Sequence, residues 1–466
     1  LDRLTRRRFI GVGAAALGCG AVAALADPLE TALRASARES LPQRPNVVLI
    51  ILDTLRADKL GCYGHPEEVS PGLDKLAADG VRFERVISQC PWTRPSCGSF
   101  LTSRHPRALG LYREKNEILP DGVELLSVLL QRAGYTTLGM TANPNLNKLF
   151  NFHQGFDHYE DSNVVFSWMP VSRDTVKRGA KYGLPKAVDM FGRALDWAKG
   201  KGDKPGYIQI NAMEIHEWAA TNSVIRPEYA GMFKGVREIY PQYLHTVRQL
   251  TDDTTKFVHE LAALPGWENT FFVFVSDHGE GLDEHRGLPH SRFHGWMLYE
   301  SQVVVPWIIY HPAWRPAVNV VDQDVRLLEV MPTILELAGL PRAEQAEGVS
   351  MAPAILGEGP VDLPRYFVTE TKWRDANKLG CYAANWKFFD NKVAPRGYPR
   401  RELQKKGGGE RGTATDMLAK EPSIAIELQS FLTQWELDNP LATPTAPRRE
   451  LSAEEKEQLE AVGYIQ

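Results

Sequence analysis

Two uninterrupted apolar runs constrain this chain more than any other feature. Val47-Val48-Leu49-Ile50-Ile51-Leu52 and Thr270-Phe271-Phe272-Val273-Phe274-Val275-Ser276 have strand length, show no polar alternation, and run directly into the acids Asp53 and Asp277. A strand without a polar face must be covered on both sides, the condition of a mostly parallel sheet with helices above and below. Its carboxyl edge is where such sheets hold ligands. Alone, Asp53 reads equally well as a turn or capping residue. A second strand ending in acid, with His278 immediately behind it, favours the ligand edge.

Between and beyond these runs, helical and extended patterns alternate. Ser70 to Ala77, Leu125 to Arg132, Lys186 to Lys199 and Tyr240 to Leu264 have helical spacing. Val81 to Val86, Tyr135 to Thr141, Tyr207 to Met213 and Val303 to Tyr310 read as strands, the third leading to His216. The alternation predicts an α/β catalytic domain over 46–360. Then the pattern changes. Strands at Tyr366 to Thr369 and Tyr382 to Phe389, a loop at Gly407-Gly408-Gly409 and a helix at Ile424 to Trp435 predict a small C-terminal α+β subdomain over 361–440. A tail over 441–466 is Pro-rich and closes with a short helix from Ala453 to Val462. The poorly patterned stretches Tyr159 to Leu184 and Trp218 to Ile239 are expected to wall the pocket.

A net charge of -4 without a long basic run beyond the N-terminus excludes a nucleic-acid partner. The N-terminus itself, Thr5-Arg6-Arg7-Arg8-Phe9-Ile10-Gly11 followed by a small-residue run to Ala24-Leu25-Ala26, matches a twin-arginine export signal over 1–26. A linker over 27–45 follows. The twin-arginine machinery is thus an expected partner and the periplasm or another extracytoplasmic site the expected location. Retention of the apolar run from Phe9 to Leu25, or lipid on Cys19, would anchor the protein instead. Cys62, Cys90, Cys97 and Cys381 are too few and scattered for a disulfide framework or zinc finger.

The stretch Trp92-Thr93-Arg94-Pro95-Ser96-Cys97-Gly98-Ser99-Phe100-Leu101-Thr102 reads as a nucleophile turn feeding a helix. Pro95 biases Arg94 toward extended backbone, and Ser96 and Gly98 are the expected caps. Thr93 then lies near free backbone donors that suit phosphate or sulfate. A Thr ahead of Pro-Ser is ordinarily a plain turn residue; its company changes the reading. Asp53, Asp277, His278 and the Thr93 oxygen form an oxygen-plus-imidazole set for one divalent cation, Zn, Mn, Ca or Mg. His285, His290 and His294 stand close behind. Remaining imidazoles could bind the tetrahedral group or protonate a leaving oxygen.

The Val48 to Asp58 segment, the Thr93 turn ending Phe100-Leu101-Thr102-Ser103, Asp277-His278-Gly279-Glu280, His294 to Glu300 and the ending Leu459 to Ile465 resemble the bacterial sulfatase-like branch of the alkaline phosphatase superfamily. The resemblance implies an alkaline-phosphatase-like core, a metal on Asp53, Asp277 and His278 with Thr93, and hydrolysis or transfer of sulfate or phosphate esters. It further implies His216 and His294 as ligand-binding or acid/base groups, and Arg94 and Lys387 as substrate-binding. Sulfatases place a Cys or Ser, matured to formylglycine, where Thr93 stands, and Thr cannot be so converted. Relatives with Thr there are mostly phospho-group transferases and phosphodiesterases. Sulfatases carry Arg, and Thr-type relatives commonly His, at the position of Cys97, and sulfatases pair two acids where this chain has Asp53-Thr54. Cys90 with Arg94 imitates the formylglycine motif, but Trp92 occupies its proline. The expected activity is therefore ester hydrolysis or transfer through Thr93, phosphate mono- and diesters ahead of sulfate esters, on a small ester, glycan or lipid head group. The alternative is a degenerate homologue that binds an anionic glycan or lipid head group without turnover.

Overall fold

A computed structural model of the chain describes residues 38–112, 117–161, 186–219, 225–229, 231–285, 287–407, 416–442 and 453. The export signal, most of the linker, the bulk of the segment from Tyr159 to Leu184 and nearly all of the tail, its helix included, lie outside these residues. Among them no helix is long and apolar enough to cross a membrane.

Both apolar runs become central strands. Asn46–Leu52 is buried at every position and pairs in parallel with Gly206–Ala212 on one side and Thr270–Val275 on the other. The full eight-stranded sheet runs Val320–Val321, Val81–Phe83, Trp307–Tyr310, Thr270–Val275, Asn46–Leu52, Gly206–Ala212, Thr136–Thr141, His158–Glu160. Trp307–Tyr310 is antiparallel to its neighbours on both sides, and the other pairings are parallel. The helices Ala187–Lys199 and Pro241–Ala262 pack on each other, joined by stacked Phe191 and Phe257. Burying one large apolar side chain contributes about 1.5–3 kcal/mol, so this sheet dominates the fold.

Two expected strands are each divided. The chain from Val81 to Val86 breaks after Phe83 and re-forms as Val86–Ile87 in a separate three-stranded sheet, while Val303 to Tyr310 divides into a short helix Glu300–Val303 and the strands Val304–Val305 and Trp307–Tyr310. Both chains cross between sheets together, Val304 pairing with Ile87 and Ile308 with Arg82. Pro306 marks the step, because it has no N–H to give to a ladder.

The C-terminal region holds four antiparallel strands, Phe367–Thr371, Asn377–Tyr382, Trp386–Val393 and Arg401–Lys405, and the helix Pro422–Asp438. The expected strand from Tyr382 to Phe389 is instead a hairpin corner, closed by Ala383 N–H donating to Trp386 C=O. Leu379, Phe388, Leu403, Leu428 and Leu432 form a second core between this sheet and its helix. This sheet is stitched to loops of the preceding α/β region: Glu370 N–H donates to Gln89 C=O at 2.9 Å and Thr371 Oγ1 to Gly295 C=O at 2.7 Å.

Candidate active site

Parallel strands deliver their next residues to one edge, and the site is built there. Asp53 follows the first strand, Asn143 follows Thr136–Thr141, His216 follows Gly206–Ala212, and Asp277 and His278 follow Thr270–Val275. Across them lies the N-terminus of the helix Thr93–Thr102, buried along its whole length. Trp92 caps it in extended backbone, so Thr93, Arg94 and Pro95 form its first turn rather than a loop ahead of it. The proline is tolerated because first-turn N–H groups have no helical acceptor. Ser96 and Gly98 are therefore interior residues and not caps. Ser96 Oγ donates to Asp277 C=O at 2.6 Å, and a Cβ on Gly98 would stand 2.5 Å from Leu111 Cδ1, so the first fastens the helix to the strand end and the second permits its packing.

Asp53, Asp277 and His278 each offer a ligand atom within 4.8 Å of the others, all buried. His278 Nδ1 lies 2.9 Å from Gly279 C=O, which requires a proton on Nδ1 and leaves the Nε2 lone pair facing inward. Nε2 is 3.3 Å from Thr93 Oγ1, 3.4 Å from Asp277 Oδ2 and 3.9 Å from Asp53 Oδ1. Burial, then the charge of Asp277, pushes the Asp53 carboxyl up to about 6. Burial also raises Asp277 to about 6 and lowers His278 to about 3. Asp53 Oδ1 accepts no hydrogen bond among the described residues. Two buried acids, one orphaned oxygen and an inward imidazole lone pair fit a divalent cation, whose charge would offset their desolvation.

Thr54 adopts φ 61°, a costly conformation for a β-branched residue. Tyr243 holds it, its hydroxyl donating to Thr54 C=O at 2.6 Å and accepting Arg56 N–H at 3.0 Å. The Thr54 hydroxyl turns back on Asp53 C=O at 2.6 Å.

Beyond His278 the rings of His294 and His216 follow, with centroid separations of 4.5 and 5.1 Å. Glu280 anchors this row, accepting Trp218 Nε1–H at 3.1 Å and lying 3.3 Å from His294 Nδ1; burial raises its carboxyl to about 7. Burial opposes a charge on His216, but Glu217, 3.0 Å from its Nδ1, overcomes that and raises it to about 9. His294 is driven well below its ordinary value by burial and by His216.

The other expected residues go elsewhere. Arg94 donates to Asn145 Oδ1 at 2.8 Å and lies over the Phe150 ring. Lys387, buried in the C-terminal sheet, has Nζ 3.3 Å from Glu300 Oε1. His285 lies tilted against Tyr299, and His290 stacks on Trp296. Cys97 is fully buried with Sγ 3.9 Å from Asp277 Oδ2, and burial holds its thiol neutral. Sequence reasoning missed Asn143, whose Nδ2 donates to Asp53 Oδ2 at 2.7 Å and to Thr93 Oγ1 at 3.2 Å, and Asn211, which donates to the same Asp53 oxygen at 3.3 Å. Their signal was positional, since both lie at or just past a strand's carboxyl end.

The family model described as Sulfatase matches residues 45–340, which contain every residue of this cluster. The chain belongs to the sulfatase family. Similar curated members of that family include N-acetylgalactosamine-6-sulfatase of Canis lupus familiaris, 28% identical over 75% of this chain and 73% of that protein. Another is the Delta 4,5-hexuronate-2-O-sulfatase of Bacteroides thetaiotaomicron, 23% identical over 70% and 75%. Among solved structures, the phosphonate monoester hydrolase of Agrobacterium radiobacter superposes with a TM-score of 0.66 at 16% identity, covering 85% of this chain and 96% of that one. This confirms the alkaline-phosphatase-like α/β fold with its C-terminal antiparallel subdomain, and the sulfatase family places the chain among hydrolases of sulfate or phosphate esters.

Proposed function

We propose that this sulfatase-family protein is an exported, metal-dependent phosphoesterase or phosphotransferase that uses the Thr93 hydroxyl as nucleophile. The observation that carries it is the position of Thr93 Oγ1, first residue of its helix, 3.3 Å from His278 Nε2 and 3.2 Å from Asn143 Nδ2. Threonine keeps its hydroxyl, so the covalent intermediate is an ordinary phosphoester rather than a hydrate-borne sulfate. Asp53, Asp277 and His278 would hold the cation, which when bound supplies positive charge that lowers the hydroxyl pKa and neutralises ester oxygens.

Asn143 orients both Thr93 and Asp53, and the helix N-terminus adds backbone N–H donors. The Thr93 oxygen forms a bond to phosphorus as the bond to the alcohol breaks. Thr93 releases its proton to solvent as its hydroxyl is acidified; His216, kept protonated beside Glu217, gives its proton to the departing oxygen and recovers one from the water or alcohol that attacks next. Water or a second alcohol then takes the phosphoryl group and restores the threonine. Export by the twin-arginine route places this chemistry in the periplasm.

A binding-only reading is favoured by Cys97, a neutral thiol next to Asp277 that brings no charge to an anion, and by Thr54 standing where a second acid would follow Asp53. Metal analysis of the mature protein, with assays on aryl phosphate, aryl phosphodiester and aryl sulfate, separates the two. Bound metal and phosphodiester turnover lost in Thr93→Ala support the enzyme. Sulfate turnover surviving that substitution would overturn the threonine mechanism, and no turnover of any ester would leave the binding protein.

A further inference from the structure

Beside the row of imidazoles, one loop turns its side chains alternately in and out. Within 231–240, Phe233, Glu238 and Tyr240 face the protein: Phe233 N–H donates to His245 Nε2 at 3.3 Å, Glu238 Oε1 lies 2.9 Å from Lys59 Nζ, and the Tyr240 hydroxyl donates to Asp283. Met232, Lys234, Arg237 and Ile239 are left exposed, the two apolar ones by 47% and 43%. Lys234 and Arg237 form no ion pair among the described residues. The three anchors reach a helix, the Lys59 segment and the chain just after Gly281–Leu282, so a fixed backbone presents the outward side chains.

Tyr240 joins this loop to the paired strands Gly281–Leu282 and Arg292–Phe293, the second of which runs into His294. Its ring lies 4.8 Å from that of Trp218, and the Arg292 guanidinium carbon is 5.0 Å from both of these rings and 4.9 Å from that of Phe293. Arg292 likewise has no carboxylate partner among the described residues. Phe293 is 43% exposed although its backbone takes φ 74°, a costly state for a bulky residue that pairing with Gly281 imposes. The acids nearby are committed inward, Glu238 to Lys59 and Asp283 to Tyr240 and to Ser291 Oγ at 2.8 Å. Apolar residues exposed singly need no explanation, but Met232, Ile239 and Phe293 interleaved with Lys234, Arg237 and Arg292 do.

That combination fits a surface that is negative outside and apolar just beneath. A soluble polyanion would engage the cations and leave the three apolar side chains in water. A second copy of the same face would bring like charges together. A bilayer containing anionic lipid meets both demands, because its head-group phosphates attract Lys and Arg while the acyl boundary accepts shallow apolar and aromatic side chains. We propose that the loop 231–240 and the strand Arg292–Phe293 form a docking face for an anionic membrane surface. Docking brings the His216 and His294 edge of the site to the lipid–water boundary. It requires no catalysis, so it stands or falls apart from the esterase reading.

The test uses the mature chain from Asp27, without the apolar run from Phe9 to Leu25 that would bind lipid by itself. It is co-sedimented with vesicles of phosphatidylcholine, alone or with about a third phosphatidylglycerol. The wild type is expected to bind the anionic vesicles about tenfold or more tightly, and less so as salt rises. Lys234→Gln with Arg237→Gln lowers that affinity by about 25-fold, about fivefold for each cation. Met232→Ser with Ile239→Ser lowers it by about tenfold or more. All four side chains are exposed, so Tm is expected to stay unchanged, and thermal unfolding checks it; should a variant fail to fold, the two vesicle types decide on the wild type alone. Equal affinity for both vesicles, or none for either, overturns the proposal. So does a charge effect without an apolar one, with dextran sulfate bound equally well, which would give the cations to a soluble polyanion. A dimer in analytical ultracentrifugation that the same substitutions dissociate would give the face to a second copy and overturn it too.

Discussion

Asn143 Nδ2 stands 3.2 Å from Thr93 Oγ1 while also donating to Asp53 Oδ2 at 2.7 Å, so one amide ties the proposed nucleophile to a carboxylate of the candidate metal site. Deleting it removes an outer hydrogen bond from each and leaves buried oxygen short of a donor. Asn143→Ala is expected to lower kcat/KM by about 10- to 100-fold and to weaken metal affinity by a similar factor. Both fall together if the amide acts through Asp53. Loss of activity with metal affinity intact would assign it to Thr93 alone.

Thr93 distinguishes two mechanisms through its own side-chain series. Thr93→Ala removes the attacking oxygen and is expected to reduce phosphodiester turnover by at least about a thousandfold. Thr93→Ser keeps the hydroxyl but loses the methyl group that limits its rotamers, and should retain measurable turnover with a trapped phosphoester detectable by intact mass. Equal activity in all three proteins would remove Thr93 from the reaction.

How much of this was legible in the residues depended on whether the signal was local. The strand ends Asp53 and Asp277 were visible because burial on both faces writes a continuous apolar run, and His278 came with them. The cap at Trp92 was not, because extended backbone before a helix can be supplied by any residue, and Ser96 looked like a cap while serving as a tie to Asp277. The split of Val303 to Tyr310 at Pro306 was readable in principle, yet its reason, a pair of strands crossing together between sheets, is a tertiary fact. Asn143 acts through partners far away in the chain, and no spacing rule announces it.

Metal removal should cost stability as well as activity. Asp53 and Asp277 are both buried, and without a cation burial and the charge of Asp277 raise the proton affinity of Asp53. A ligand present at a hundred times its Kd stabilises by about 2.7 kcal/mol. Chelation is therefore expected to lower Tm by roughly 3 °C, reversibly on adding a divalent ion. In Asp53→Asn the chelator shift should largely vanish. A chelator-insensitive Tm in the wild type would deny the cation a structural place.

A last prediction concerns Lys378, which the reaction does not use. It is buried in the C-terminal sheet with Nζ 3.3 Å from the Tyr398 ring centroid, and burial lowers its pKa to about 7 although Glu402 and Asp375 oppose the shift. The unfolded lysine titrates near 10.4. Between about pH 7 and pH 10 the unfolded chain therefore binds the extra proton, and the contribution of this group to stability rises with pH through that window. Below pH 7 both states carry the charge and the full burial penalty remains. Lys378→Met, of similar length and apolar, should accordingly unfold at a higher temperature than the wild type at pH 6, with the difference shrinking steadily toward pH 10. Because other groups titrate equally in both proteins, the difference between the two melting curves isolates Lys378. A gap that stays constant with pH would mean that the ammonium is stabilised by Tyr398 and Glu402 as strongly as by water.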